Sequence, residues 1–115
     1  MSDEKVLVVY TRSSFCPYQR KADRVFDKYN LEYRVILINQ DPEAERRVLD
    51  WTGFKSVPTI IAARPGEDLP CEEPAPLPKG SSPRGIDRGS MITEASEEQL
   101  EAWLRKHGFI ENGDG

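Results

Sequence analysis

A change of hydrophobic period on either side of one cysteine constrains this chain most. Val6-Leu7-Val8-Val9-Tyr10 is apolar and β-rich without alternation, the pattern of a strand covered on both faces of a sheet. Past Cys16 the period becomes helical. Tyr18, Ala22, Val25, Phe26 and Tyr29 fall on one stripe, with Arg20, Lys21, Asp23, Arg24, Asp27 and Lys28 off it. Pro17 suits the first helical position, where its fixed φ fits the turn and no amide hydrogen is missed. Cys16 therefore stands at or beside a helix start, where unpaired N–H groups and the positive dipole end favour thiolate over thiol. An inert buried cysteine is the commoner fate of this residue type. Its place between a strand and a helix-opening proline makes Cys16 a candidate nucleophile.

The remaining elements read in order. Glu32 to Asn39 carries Tyr33, Val35, Ile36, Leu37 and Ile38, a second strand expected to be buried. Asp41-Pro42-Glu43 opens a helix with Asp41 as cap; Ala44, Val48 and Trp51 form its apolar face, and Gly53 stops it. Val57-Pro58-Thr59-Ile60-Ile61-Ala62-Ala63 reads as a third strand entered through a proline, and Met91-Ile92-Thr93 as a short fourth. Ser96 and Gln99 make a capping box ahead of Leu100, Trp103 and Leu104, with Gly108 past the helix end. The order is β-α-β-α-β-β-α. Right-handed crossovers predict that the first three strands run parallel, with the last strand closing an antiparallel edge.

Composition narrows the function classes. A chain of 115 residues has room for one core, burying roughly two-thirds of its unfolded surface, so a single domain over residues 1–115 is expected. No apolar stretch approaches the ~20 residues of a membrane span, and Met1-Ser2-Asp3-Glu4-Lys5 does not read as a signal peptide; no membrane partner and a cytoplasmic location are expected. The two cysteines, Cys16 and Cys71, are too few for a disulfide framework or a thiolate zinc site. A net charge of −4 argues against a nucleic-acid surface. Arg12, Arg20, Lys21 and Arg24 nonetheless gather near Cys16 in sequence, either as a solvated helix face or as a positive field that stabilises a thiolate and attracts carboxylates. The single histidine, His107, reads as a helix-end residue, so no imidazole partner for Cys16 is offered and cysteine-protease chemistry has no support.

Val8-Val9-Tyr10-Thr11-Arg12 before Cys16-Pro17-Tyr18, Ser56-Val57-Pro58-Thr59 about forty residues on, and the amphipathic last helix together resemble a glutaredoxin over most of the chain. The resemblance implies an α/β, thioredoxin-like fold with a four-stranded mixed sheet flanked by three helices. It implies that Cys16 is the catalytic nucleophile and that Pro58 is the family's cis-proline facing it. It further implies that Val57 offers its backbone to the cysteinyl part of glutathione, that Tyr18 walls the thiol, and that Arg12 and the Ser96 hydroxyl greet substrate carboxylates. Gln19 occupies the place of the family's second cysteine, next to the substrate, so the chain resembles a monothiol variant: a second, external thiol must resolve the adduct at Cys16. No tightly bound cofactor and no metal are expected; glutathione or another small thiol serves as co-substrate, and protein mixed disulfides are the expected partners.

Besides Gln19, and an Arg12 that stands four rather than three positions before Cys16, two further features depart from that pattern. Aligning Ile92 and Ser96 puts Thr93-Glu94 where the family carries two glycines, and the Glu94 carboxylate is expected to repel the γ-glutamyl group. The stretch 64–90 replaces a tight turn with an irregular Pro/Gly-rich insertion, including Pro74-Ala75-Pro76-Leu77-Pro78, that reads as a surface excursion, or more sharply as a partner-docking segment or a flap over the thiol. Cys71 within it, beside Glu72 and Glu73, is expected to be incidental rather than resolving. The reading that follows is a glutaredoxin-like thiol-disulfide oxidoreductase acting on mixed disulfides. The alternatives are an iron–sulfur cluster carrier and a thiol-sensing module that binds a partner through the proline-rich loop.

Overall fold

The computed structural model describes residues 5–13, 17–77 and 82–110; Cys16 lies outside them, as does Pro78 at the end of the proline-rich stretch. Seven elements follow in the expected order: β1 (Val6–Thr11), α1 (Pro17–Lys28), β2 (Tyr33–Leu37), α2 (Pro42–Thr52), β3 (Thr59–Ala63), β4 (Met91–Thr93) and α3 (Glu97–Lys106). The strands form one sheet in the order β2-β1-β3-β4. Alternation along β1 sorts the core into two layers. Leu7 and Val9 meet Ala22, Val25 and Phe26 of α1 and Leu100, Trp103 and Leu104 of α3 on one face. Val8 and Tyr10 meet Ala44 and Val48 of α2 on the other. Burial of these side chains on both faces drives the fold, at roughly 1.5–3 kcal/mol for each large one.

Strand direction departs from expectation. β1 and β2 are parallel, with Thr11 beside Leu37, but β3 runs antiparallel to β1, with Tyr10 beside Thr59 and Val6 beside Ala63. Both ends of the β2–β3 connection therefore lie at the same edge of the sheet. A crossover to a parallel strand must deliver the chain to the opposite edge. Here Gly53, at φ 78°, ends α2 and returns its N–H to the Leu49 carbonyl, and residues 53–58, with a reach of up to ~20 Å, bring the chain back to the edge it left. The expected burial of β2 is corrected for the same reason. It is the outer strand, with Tyr33 37% and Val35 45% exposed. On α2, Thr52 is buried with Ala44 and Val48, while Trp51 is only half-buried against Tyr10.

The helix boundaries follow their local chemistry. The Asp41 carboxylate accepts from the Glu43 and Ala44 amides, and Pro42 occupies the first turn where no N–H is missed. At α3 the Ser96 hydroxyl accepts from Gln99 N at 3.1 Å and the Gln99 side chain accepts from Ser96 N at 2.8 Å. Arg24–Glu97 and Lys28–Glu101 ion pairs, 2.8 and 3.2 Å, tie α1 to α3 across the surface.

The described part of 64–90 is stitched to this body. Pro70 bridges Ala63, the Cys71 amide donates to Ala62 O at 2.8 Å, and Ser90 Oγ donates to Glu72 O. Arg88, only 7% exposed, is the main tie: its guanidinium donates to Ala75 O and to Trp51 O. Trp51 lies in the last turn of α2, which has no basic residue of its own, so Arg88 supplies the cation that the negative helix end favours. On the opposite face, Gly89 O receives the Trp103 indole N–H at 2.8 Å.

Candidate active site

One edge of the sheet gathers the residues to which the sequence points. β1 ends there at Thr11, α1 begins there at Pro17, and β3 begins there at Thr59. β4 ends beside it, with Thr93 paired to Thr59, and α3 starts four residues later at Glu97. The loop after β1 is held on both sides. Asn39 accepts from Ser13 N at 3.0 Å and donates to Ser13 Oγ at 2.8 Å, while Ile38 N donates to Thr11 O. Arg12 is not poised over open space: its Nη2 donates to Lys55 O at 2.8 Å, bracing the segment that leads to Pro58.

Val57–Pro58 is a cis peptide. The Val57 side chain joins the core layer under α2, and Pro58 is buried. Behind them, Thr59 Oγ1 donates to Ser56 O at 2.9 Å and lies 3.0 Å from Thr93 Oγ1, a buried polar pair that locks β3 to β4 at the edge. Pro58 O accepts from Glu94 N at 2.9 Å. Glu94 has φ 46°, so it adopts the left-handed backbone that a glycine would take there without cost. Ser96 commits both its amide and its oxygen to the capping box, which leaves its O–H proton as the part able to meet a ligand.

From α1, Tyr18 is half-buried between two cations: Lys21 Nζ lies 4.7 Å and Arg84 Cζ 5.2 Å from its ring centroid. Gln19 donates to Asp23 Oδ1 at 2.8 Å, which fixes the side chain standing in for a second cysteine. The expected basic cluster is thinner than its sequence spacing suggests, because Arg24 is drawn away to Glu97 on α3. Sequence reasoning missed Arg84. It belongs to the insertion, 66 positions from Tyr18, yet it pairs with Glu94 at 3.5 Å and bridges to Thr93, so the charge expected of Glu94 is met by a partner. Its only sequence-level signal is an arginine in a Pro-Arg-Gly turn.

Two other residues lie away from this edge. Cys71 is tied to Ala62, three residues along β3 from Thr59 and so about 10 Å from the edge at the rise of a strand. It packs against the α1–α3 core layer rather than standing in open loop. His107 caps the far end of α3, about 15 Å from the helix start at 1.5 Å per residue. Its Nε2 lies 2.6 Å from Gly89 O, and burial, opposed by that contact, holds its imidazole below the usual range. Among the described residues no group of acidic, histidine or cysteine side chains is placed to hold a metal ion, and no helix is long and apolar enough to cross a membrane.

The Archaeoglobus fulgidus glutaredoxin shares this architecture, with a TM-score of 0.51 at 16% identity over 90% of this chain and 89% of that one. A buckwheat glutaredoxin, solved as a glutathione complex, is 27% identical over 49% of this chain, with a TM-score of 0.41; the match spans about half (53%) of that protein's length. The Omega 2S glutathione transferase of Trametes versicolor covers 96% of this chain and 41% of its own, at 19% identity and a TM-score of 0.48. No curated protein matches the chain. The family model for glutaredoxin matches residues 7–64, just over half of the sequence. That stretch runs from β1 through α1, β2 and α2 to the end of β3, the part of the sequence that holds Cys16-Pro17-Tyr18 and Pro58, and by it the chain belongs to the glutaredoxin family.

Proposed function

We propose that this protein is a thiol-disulfide oxidoreductase that acts on mixed disulfides by a monothiol route through Cys16, with glutathione or a similar small thiol as co-substrate. The observation that carries the reading is the convergence on one edge of the α1 start, Pro58 and the Thr93–Ser96 turn, within a chain of the glutaredoxin family. Cys16 immediately precedes Pro17, the first residue of α1, where the helix dipole favours a thiolate. The thiolate attacks the sulfur of the small thiol in a protein mixed disulfide. The S–S bond breaks, the protein thiolate leaves and takes a proton, and Cys16 carries the small thiol. A second small-thiol molecule attacks that adduct, is oxidised to the symmetrical disulfide, and restores the Cys16 thiolate.

Val57 and Pro58 position the sulfur-bearing chain, the role that the family resemblance implies for them, with the Val57 side chain taken up in the core. Tyr18 forms a wall of the cleft, Gln19 marks the missing resolving position, and Arg12 shapes the cleft through Lys55. The hydrogen bond of the Cys71 amide to Ala62 O, about three residues down β3, supports reading Cys71 as a bystander rather than as the resolving thiol. The test is turnover of a peptide mixed disulfide with excess glutathione. Cys16→Ser is expected to abolish it and Cys71→Ser to retain it. Full activity of Cys16→Ser, or a Cys16–Cys71 disulfide as the main oxidised form by peptide mass spectrometry, would refute the reading.

A further inference from the structure

We propose that Arg84, carried to the site by the insertion, reads the carboxylate of the small thiol joined in the mixed disulfide, and that Glu94 is the resting partner which that carboxylate displaces. The inference rests on the function proposed above and names the residue that selects its substrate. Its neighbours place Arg84. Pro83 before it is buried, Gly85 N donates to Thr93 O at 2.7 Å, Arg84 bridges Thr93, and its guanidinium lies over the Tyr18 ring. The arginine is thus held at the turn whose other side is Glu94, and Glu94 in turn donates its amide to Pro58 O.

The pair is built to exchange. Arg84 meets Glu94 through a single contact of 3.5 Å, and its side chain is 59% exposed against 17% for Glu94. A bidentate arginine–carboxylate pair would be shorter and two-pronged, and a one-pronged pair with an exposed partner contributes at most ~1 kcal/mol. A ligand carboxylate can therefore take the exposed side of the guanidinium at little cost, while Glu94 cancels the charge when the site is empty. Lys21, over the other approach to Tyr18, adds positive potential. The substrate class that fits is a small thiol bearing a carboxylate within a few bonds of its cysteinyl unit, in preference to a neutral thiol.

The experiment uses one peptide carrying either a glutathione or a 2-mercaptoethanol mixed disulfide, with the full chain and its Arg84→Gln, Arg84→Lys and Glu94→Gln variants. Arg84→Gln is expected to raise KM for the glutathione disulfide at least fivefold more than for the mercaptoethanol disulfide, with kcat held. Arg84→Lys should recover part of that ratio, since it keeps charge but loses the planar stack. Glu94→Gln should lower KM for the glutathione disulfide. Added salt should erode the wild-type preference and leave that of Arg84→Gln nearly flat. Equal effects on both substrates, or none, would overturn the assignment. A second arm separates it from the parent reading: binding of S-methylglutathione to Cys16→Ser, with and without Arg84→Gln, needs no turnover. At least fivefold weaker binding on losing Arg84 upholds the proposal even if catalysis fails; unchanged binding, or no binding to either protein, refutes it.

Discussion

Replacing Gly85 with alanine tests how the insertion is seated on α3. Gly85 has φ 72°, and an ideal Cβ there would lie 2.6 Å from Gln99 Oε1, 2.7 Å from Nε2 and 2.9 Å from Cδ. The end of a glutamine side chain usually yields easily, but this one is held by the Ser96 amide in the capping box. Three terms enter. The left-handed backbone costs an alanine roughly 1–2 kcal/mol. The stiffer unfolded chain offsets roughly 0.4–1 kcal/mol. Displacing the Gln99 amide forfeits one hydrogen bond at about 0.5–1.5 kcal/mol. The expected loss for Gly85→Ala is therefore about 1–2 kcal/mol. In a Gln99→Ala background the steric term vanishes and only the backbone term remains. Urea denaturation of wild type, both single variants and the double variant should give a coupling of about 0.5–1.5 kcal/mol, with the double variant more stable than the sum of the single losses predicts. Additivity within about 0.3 kcal/mol would show that Gly85 and Gln99 do not collide, and would remove the argument that this glycine seats Arg84.

Other outcomes follow from the same contacts. Arg88→Leu leaves the partly buried Trp51 carbonyl without its donor, while that of exposed Ala75 can turn to water, and is expected to cost about 1–3 kcal/mol; a loss under about 0.5 kcal/mol in urea denaturation would refute the anchoring role. His107 is held below its ordinary value of 6.5 by burial. Its neutral form therefore adds stability above that value, lost as pH falls through 6.5 and then through the folded-state value. The urea midpoint should fall between about pH 7.5 and 5.5 in wild type and fall less in His107→Gln; parallel curves would refute the assignment. Cys16→Ser and Cys71→Ser should part company in turnover, the first inactive and the second active, as expected of a monothiol enzyme whose Cys71 is hydrogen-bonded through its backbone to Ala62 and packed against the α1–α3 core layer.

What was legible in the sequence was local. Asp41-Pro42 and Ser96 with Gln99 set helix starts within four residues of themselves, so their chemistry could be read directly and the structure repeats it. The residues of the candidate site could be named where they sit in short segments, Arg12 and Tyr18-Gln19 on either side of Cys16 in sequence and Val57-Pro58 as a unit. Strand direction was not, because nothing in β3 itself records that its chain arrives from the edge β2 has just left. The exposure of β2 was hidden likewise: Val35 and Ile36 look buried until the strand order puts them outermost. Arg84 and Arg88 escaped for a third reason. Each acts on residues dozens of positions away, Tyr18 and Trp51, and an arginine in a proline-rich stretch carries no mark of such a target.

The hold of residues 88–89 on both faces of the sheet has an optical consequence. The chain has two tryptophans, and each touches the insertion by a different bond: Trp51 through its carbonyl to Arg88, Trp103 through its indole N–H to Gly89 O. Trp51 sits edge-on to Tyr10 on the α2 side, while Trp103 is buried with the α1–α3 layer and lies 4.7 Å from the His107 ring. The protein thus carries one native fluorophore per layer. With Trp51→Phe and Trp103→Phe as single-emitter versions, loosening of the insertion would be recorded separately from above and below, and a lag between the two signals would reveal which layer lets go first.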